Sequence, residues 1–305
     1  MTFNCPACDS KKISLLHDIK SFVKKIPLGL TRNNRQNTKV YRCNKCGLGV
    51  SEGILSQKNF NELYTKDKIY TETNYEFKDK KYQKYTNEIQ KIIDIHCQTK
   101  GNLLEIGFLD CHLLNNFKNQ GWNVEGLELD ASAVENAKAK NIKAHNLDLC
   151  DPSFTGKNYS LIYAIALFEH IEDPNKFIKT CHSKLKTGGK LILQFPNHRS
   201  LNRYVSSLSK HKWDMYSEPG HVYHYDKTTA TKILQKNHFK TLKVYTSTIL
   251  IRGKVPILPT RFNFLEELIR SIIFKNKILR LTYNKLISII DYCKLGDTLI
   301  IVAQK

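Results

Sequence analysis

The sequence lacks the features that mark membrane and secreted proteins. It holds no run of about 18 uncharged apolar residues, the length that a transmembrane helix needs, and its first residues, MTFNCPACDSKK, carry no apolar signal core. We therefore expect a cytoplasmic protein without a transmembrane segment. In that compartment the nine cysteines are expected to be thiols or metal ligands rather than disulfides.

Acidic residues and arginine are also scarce. The chain carries 48 Lys and Arg against 28 Asp and Glu, for a formal net charge of +20, but only nine of the basic residues are Arg. A strongly basic chain suggests a polyanionic partner such as nucleic acid or an anionic membrane surface. Because Arg is the better bidentate reader of phosphate, we favour scattered lysines on solvated faces, and nucleic acid is the less favoured partner.

Short apolar strands alternate with amphipathic helices from residue 102 onward. Strands are predicted at Asn102–Ile106, Asn123–Glu128, Ile142–Asn146, Leu161–Leu167, Lys190–Phe195, Leu242–Ile249 and Asp297–Ala303. Helices are predicted at Cys111–Asn119, Ser132–Lys140, Pro174–Leu185, Lys227–Asn237 and Phe262–Tyr292. This alternation is typical of an α/β fold with a doubly wound, mostly parallel sheet covered on both faces.

Four of the cysteines form two C-x-x-C pairs, Cys5-Pro-Ala-Cys8 and Cys43-Asn-Lys-Cys46. Each pair places two thiolates on one tight turn, and two such turns complete a tetrahedral sulfur site that suits zinc. We predict that these four residues bind one zinc ion in a small N-terminal module of the zinc-ribbon type. The five other cysteines are scattered and are expected to be ordinary core or surface residues.

Polar residues and a glycine follow the first three predicted strands of the sheet. Glu105 and Gly107 end the first strand, Glu128 ends the second, and Asp148 follows the third. In an open parallel sheet the ligand lies beyond the carboxyl ends of the strands, where glycine lets the backbone approach it. A carboxylate at the end of the second strand is placed to accept hydrogen bonds from ribose hydroxyls. The alternative is that Glu128 and Asp148 are ordinary surface acids.

Four segments resemble, in order, the successive motifs of class I S-adenosylmethionine-dependent methyltransferases: LLEIGFLDCHLL, VEGLELDASAVENAKAKNI, YSLIYAIALFEHIEDPNKFI and LKTGGKLILQFPN. CNKCGLGV followed by NFNELYTKDKIY resembles the entry segment of a zinc-binding subgroup that often acts in sugar, polysaccharide or antibiotic biosynthesis. The resemblance implies a Rossmann-like methyltransferase fold and S-adenosylmethionine as cofactor. It also implies that Glu105 and Gly107 flank the methionine part, that Glu128 holds the ribose and that Asp148 lies on the adenine side.

Two positions depart from the family pattern. The turn that usually reads G-x-G-x-G here reads Gly107-Phe108-Leu109-Asp110-Cys111, and Ser160 stands where an Asp usually precedes the fourth strand. The side chains of Leu109 and Cys111 are expected to crowd the methionine carboxylate. A non-catalytic relative with altered cofactor binding is therefore an alternative to an enzyme.

Three histidines are the candidate catalytic residues. His170 follows the fourth strand, and His221 and His224 lie in HKWDMYSEPGHVYHY, where the resemblance places a loop over the substrate. An attacking hydroxyl or acidic carbon must lose a proton, and histidine titrates near neutral pH. We predict His221 as the base with His170 lining the same pocket. His224 is the alternative base because Gly220 is inserted before His221, and local packing is the alternative role for each histidine.

The resemblance implies a methyltransferase that acts on a small molecule, such as a nucleotide-linked sugar or a glycan precursor. An RNA methyltransferase is the rival enzyme. The predicted organisation is a zinc-binding module at 1–60, a helical connector at 61–100 and a methyltransferase domain at 101–305 with a helical insertion at about 262–293. The insertion is amphipathic and basic; a packed lid or dimer face is favoured for it over peripheral contact with a membrane.

Overall fold

The computed structural model is organised around one sheet of seven strands. It describes residues 3–20, 37–52, 80–208, 213–216, 221–248, 272 and 275–305. The strands of this large sheet are β4 (Asn102–Ile106), β5 (Asn123–Leu127), β6 (Lys143–His145), β7 (Tyr159–Ile165), β8 (Leu185–Pro196), β10 (Lys240–Ser247) and β11 (Thr298–Gln304). Their order across the sheet is β10-β11-β8-β7-β4-β5-β6.

The five strands from β8 to β6 run parallel, and β11 is antiparallel to both of its neighbours. From β4 the chain moves outward through β5 to β6 and then returns to the other side of β4 as β7. This reversal opens a crevice at the carboxyl ends of β4 and β7, where ligands of open α/β sheets bind. The prediction of a mostly parallel, doubly wound sheet is confirmed.

Helices cover both faces of the large sheet. The described helices, numbered in chain order, are α1 (Lys80–His96), α2 (His112–Asn119), α3 (Ala131–Ala139), α4 (Pro174–Lys184), α5 (Leu201–Leu208), α6 (Lys227–Lys236) and α7 (Lys277–Tyr292). Side chains alternate along a strand, so Leu103 packs with apolar residues of α1, α2 and α3, whereas Leu104 packs with those of α4 and α6. Two apolar cores result, one on each face.

A second, smaller sheet lies at the N-terminus. Its strands are β1 (Ile13–Lys20), β2 (Asn37–Cys43), β3 (Gly49–Glu52) and β9 (Tyr223–His224), all antiparallel and in the order β1-β2-β3-β9. The last strand comes from a segment that follows the parallel part of the large sheet. The N-terminal sheet is therefore completed by residues more than 170 positions later in the chain.

The predicted element bounds agree with the structure to within about two residues, with one clear exception. The strand predicted at Lys190–Phe195 begins earlier, at Leu185, which pairs with Tyr159 before the register shifts. The KTGG segment looks like a turn in the sequence, but Gly188, with a φ of +73°, lets the strand continue through that irregularity.

The predicted helical insertion is described only in its second part, α7. This helix has no buried residue, and exposed apolar side chains such as Ile278, Leu281 and Tyr292 lie along it. No helix in the described ranges has both the length and the apolar character needed to cross a membrane. In the predicted substrate loop, Gly220, the insertion before His221, lies outside the described residues.

Candidate functional site

The turn between β4 and α2 contains three residues with a left-handed backbone. Gly107 has a φ of +74° and donates its N–H to the Leu127 carbonyl of β5 at 2.8 Å. Leu109 and Cys111 have φ values of +46° and +53° although neither is glycine. A left-handed conformation costs an L-residue about 1–2 kcal/mol. The backbone therefore adopts at these two positions the conformation that glycine favours.

Glu128 connects this turn to the start of α3. One oxygen of its buried carboxylate accepts the N–H of Leu109 at 3.0 Å, and the other accepts those of Leu129 at 2.6 Å and Asp130 at 3.2 Å. Burial raises the pKa of Glu128, while the three backbone hydrogen bonds lower it. A carboxylate has about four acceptor positions, so one position beside the Leu109 bond remains for a ligand hydroxyl.

Glu105 lies beneath the same turn and is held by a neighbouring strand. The Tyr163 hydroxyl of β7 donates to its carboxylate at 2.6 Å. Complete burial raises the pKa of Glu105 well above its ordinary range, and the charges of Asp110 and Glu128 act in the same direction. This carboxyl group therefore links β4 to β7 inside the core.

Asp148 lies at the same edge of the sheet, in the loop after β6. It is exposed, and one of its carboxylate oxygens accepts the Cys150 N–H at 2.7 Å. Nearby, the Asn146 amide donates to the carbonyls of Glu128 at 3.0 Å and Leu129 at 2.8 Å. These two bonds join the ends of β5 and β6, so Glu128 and Asp148 follow neighbouring strand ends.

A buried cluster of Glu169, His170 and His221 follows β7. Glu169 and His170 belong to a short 3-10 helix at Phe168–His170. The His170 and His221 rings are 4.7 Å apart between centroids and nearly perpendicular, and His221 Nε2 is 4.0 Å from the nearer carboxylate oxygen of Glu169. The cluster therefore brings together two of the three predicted catalytic histidines.

The cluster is close to the turn after β4. Leu167, which precedes the 3-10 helix, lies so near Gly107 that a Cβ added to the glycine would be 3.5 Å from its side chain. The backbone N–H of Val222 donates to the Glu169 carbonyl at 2.8 Å and fixes the segment that carries His221. The two parts of the candidate site thus share one edge of the sheet.

Hydrogen bonds distinguish the predicted histidines. His221 Nδ1 is 3.1 Å from the Met215 carbonyl, so this nitrogen carries the proton and Nε2 holds the lone pair. His224 Nε2 is instead 2.7 Å from the Ser51 hydroxyl in β3. Burial lowers the pKa of both histidines well below the ordinary value and raises that of Glu169 to about 8. Both imidazoles are therefore neutral at physiological pH.

The four paired cysteines come together as predicted. Cys5 Sγ is 3.5 Å from Cys46 Sγ, Cys8 Sγ is 3.6 Å from Cys43 Sγ, and all four sulfurs lie within 4.8 Å of one another. In a tetrahedral zinc site with Zn–S bonds of about 2.3 Å, neighbouring sulfurs are roughly 3.8 Å apart. The sulfur positions therefore fit a zinc ion.

The cysteine module is packed against the large sheet. Cys5 and Cys43 belong to the same apolar core as Phe168 of the 3-10 helix. At its rim, the Asn175 amide of α4 donates to the Pro6 carbonyl at 3.1 Å, and Lys236 of α6 pairs with an Asp9 oxygen at 2.6 Å. The module thus shares an apolar core with the 3-10 helix that carries Glu169 and His170.

Several partners in this site were missed by sequence reasoning. Glu169 directly precedes His170, and an acid next to a histidine after a strand is a usable signal for it. Tyr163, Ser51 and the Met215 carbonyl gave no signal, because their roles depend on strands that meet across long sequence distances.

Comparisons with known proteins place this geometry in context. The family model described as "Methyltransferase domain" matches residues 76–244, more than half of the chain. No curated protein matches the sequence.

Solved structures also resemble this one. An S-adenosylmethionine-dependent methyltransferase from Archaeoglobus fulgidus is similar with a TM-score of 0.51 and 18% identity over 73% of this chain and 94% of that one. Magnesium protoporphyrin IX methyltransferase from Synechocystis, solved with bound S-adenosylhomocysteine, has a TM-score of 0.48 and 15% identity over 74% and 84%. At such identities the Archaeoglobus likeness supports the fold alone.

Proposed function

Because the chain belongs to the methyltransferase-domain family, we propose that it transfers the methyl group of S-adenosylmethionine to a sugar or glycan precursor. The observation that carries the proposal is Glu128, a buried carboxylate that shapes the turn after β4 and keeps one acceptor position for a ligand hydroxyl. The sugar class rests on the resemblance of the N-terminal segment to sugar-modifying relatives.

The residues at the carboxyl edge of the sheet suit this cofactor. Bound S-adenosylmethionine supplies an electrophilic methyl group on a sulfonium. The turn at Gly107 would face the methionine part, with Glu105 supporting it from below. The open acceptor position of Glu128 would take a ribose hydroxyl, and the second carboxylate oxygen of Asp148 would accept from the adenine amino group. The left-handed backbone at Leu109 supports this assignment, since it gives the turn a glycine-like path.

We propose that the acceptor loses its proton at the histidine cluster. His170 and His221 lie beside the turn, and the lone pair of His221 Nε2 points away from its Met215 bond. A neutral imidazole is the form that can take a proton. His224 fits this role less well, since its Nε2 is hydrogen-bonded to Ser51.

We also propose that Cys5, Cys8, Cys43 and Cys46 hold a structural zinc ion. A site with four protein ligands leaves no open position for a substrate. The expected division into a module at 1–60, a connector at 61–100 and a catalytic domain at 101–305 is kept as part of this proposal. A cytoplasmic location is likewise proposed.

Methyl transfer from radiolabelled S-adenosylmethionine tests the function. The acceptors are a panel of nucleotide-linked sugars, and in parallel a set of structured RNAs at several salt concentrations. The proposal expects label in a sugar. Label in RNA, with affinity that falls steeply as salt rises, would assign the rival enzyme instead. A protein that labels no acceptor and does not bind the cofactor product is the non-catalytic relative.

A further inference from the structure

The cluster of Glu169, His170 and His221 has the composition of a metal site. One ligand atom from each residue lies within 4.8 Å of the others, and all three residues are buried, with 3–8% of their surface exposed. Burial of a carboxylate and two imidazoles removes water that would otherwise bind these polar atoms. A metal ion would interact with all three of these side chains.

The contact between His221 and Glu169 has a length that a metal ion would explain. At 4.0 Å, Nε2 and the carboxylate oxygen are too far apart for a hydrogen bond. Bonds from a zinc ion to imidazole nitrogen and carboxylate oxygen are each about 2.0–2.2 Å, so one ion between the two atoms fills this gap when the bonds make a wide angle. Small shifts of either side chain would allow a tetrahedral angle.

The orientation of His221 also suits a ligand. Its Nδ1 donates to the Met215 carbonyl at 3.1 Å, which fixes the ring and leaves the Nε2 lone pair facing Glu169. Metal-bound histidines characteristically donate their other ring N–H to a backbone carbonyl or a carboxylate in this way.

Glu169 supplies an independent observation. One of its buried carboxylate oxygens has no hydrogen-bond partner among the described residues. Within the same ranges, the only basic side chain within 4.0 Å of its carboxylate oxygens is His221. The bond from Val222 fixes the main chain of Glu169 next to His221. A cation bound here would stabilise the ionised carboxylate, which burial alone disfavours.

We propose that Glu169, His170 and His221 bind one divalent transition-metal ion of the zinc class, separate from the ion of the cysteine cluster. Two imidazoles and one carboxylate favour such a metal over magnesium or calcium. Three protein ligands leave a coordination position open. This role rests on the proposed function: the open position would take the acceptor oxygen, whose proton would pass to solvent. Since Nε2 of His221 cannot both bind the ion and take that proton, zinc binding here would replace His221 as the base.

Zinc binding to the full-length protein tests the site. Metal-free chain is dialysed against micromolar Zn²⁺, and bound zinc per chain is measured by elemental analysis for wild type, E169Q, H221N and the control H238N. His238 is exposed and has a φ of +65°, which Asn tolerates well. The expected result is one ion fewer per chain in E169Q and H221N than in wild type and H238N.

Cobalt substitution separates the two sites. Co²⁺ in the cysteine cluster gives thiolate charge-transfer absorption, and this band should persist in E169Q and H221N while one cobalt per chain is lost. Equal metal content in wild type and both variants overturns the proposal. Circular dichroism of the same samples checks that each variant is folded, and titration with S-adenosylhomocysteine tests the proposed function. Binding of that nucleoside with equal metal content would reject the metal site and leave the proposed function standing. A loss of metal in the variants without nucleoside binding by any sample would support the metal site and reject the proposed cofactor site.

Discussion

Two residues in the turn after β4, Leu109 and Cys111, hold a left-handed backbone conformation that favours glycine. At most positions Ala is more stabilising than Gly, because Gly loses more backbone freedom on folding. At a positive φ this order reverses. We therefore predict that the free energy of unfolding of L109G is about 1 kcal/mol higher than that of L109A, so that L109G is the more stable variant. Both variants lack the leucine side chain, so urea denaturation isolates the backbone term. A more stable L109A would show that the turn does not need this conformation.

Asp297 gives a pH dependence to stability. Burial, followed by the charge of Asp291, raises its pKa in the folded chain to about 7. The unfolded chain loses this proton near pH 4, so between about pH 4 and 7 the folded state binds more protons. Stability is therefore highest below that window and falls as pH rises through it, by roughly 1–3 kcal/mol.

The D297N variant should flatten this fall, because Asn does not titrate. D94N is the matched control, since Asp94 is exposed on α1. Free energies of unfolding at pH 4.5 and 7.5 decide the matter. If the free energy of unfolding changes by the same amount in wild type and D297N between the two pH values, Asp297 is not the titrating group.

For single residues, the sequence predicted the positions of site residues along the strands more accurately than their hydrogen-bond partners. Gly107 and Glu128 were correctly expected at strand ends, because a strand fixes the position of its last residue. That the Glu128 carboxylate accepts the Leu109 N–H could not be foreseen, since the direction of that N–H depends on a left-handed turn formed by a non-glycine residue.

At the scale of elements, the pairing of β3 with β9 joins the N-terminal sheet to the histidine segment. Gly49 and Val50 pair with His224 and Tyr223, and the Ser51 hydroxyl meets His224 Nε2 inside the interface. Removing this hydroxyl leaves a buried imidazole nitrogen without its partner, which costs about 1–3 kcal/mol.

We therefore predict that S51A lowers the free energy of unfolding by about 1–3 kcal/mol. S14A is the control, because the Ser14 hydroxyl donates to Asn44 at 2.8 Å in an exposed position and its loss should cost less than about 1 kcal/mol. Equal decreases in the free energy of unfolding for the two substitutions would show that the buried contact of Ser51 with His224 adds no more stability than an exposed hydrogen bond.

Local patterns predicted most elements because each strand and helix of the large sheet carries its own apolar period. Asn102–Ile106, for example, has the predicted bounds. The strand β9 was not predicted, since two residues carry no period. This strand is defined by its pairing with β3. The contact between Ser51 of β3 and His224 of β9 spans 173 positions of the sequence.

At the scale of the whole molecule, the cysteine cluster is part of the main apolar core rather than a separate appendage. Cys5 and Cys43 share that core with Phe168 and Tyr225. If zinc holds the four thiolates, its loss should weaken the whole chain, because metal binding to the folded state adds directly to stability.

We predict that C43S loses one zinc per chain and lowers the midpoint of thermal unfolding by several degrees. C293S is the control, because Cys293 is exposed at the end of α7, and it should keep both metal and midpoint. Elemental analysis and calorimetric melting give the two readouts. Retention of full zinc content in C43S would contradict the four-cysteine site.

The family and the enzyme class were predictable from the order of motifs along the chain, and the family match confirms them. The substrate was not, because the residues that would contact it come from a loop whose geometry no local pattern fixes. The pairing of β3 with β9 was not predictable for a similar reason, because it depends on a contact between distant parts of the chain.

We propose that the edge of the sheet at Gly107 and Glu128 binds S-adenosylmethionine. This binding is measured by titration calorimetry of the full chain with S-adenosylhomocysteine. We expect saturable binding at one site per chain with a dissociation constant in the micromolar range, and a loss of about 1.5–3 kcal/mol of binding free energy in E128A. Absence of binding to the folded wild-type chain, or unchanged affinity in E128A, would contradict it.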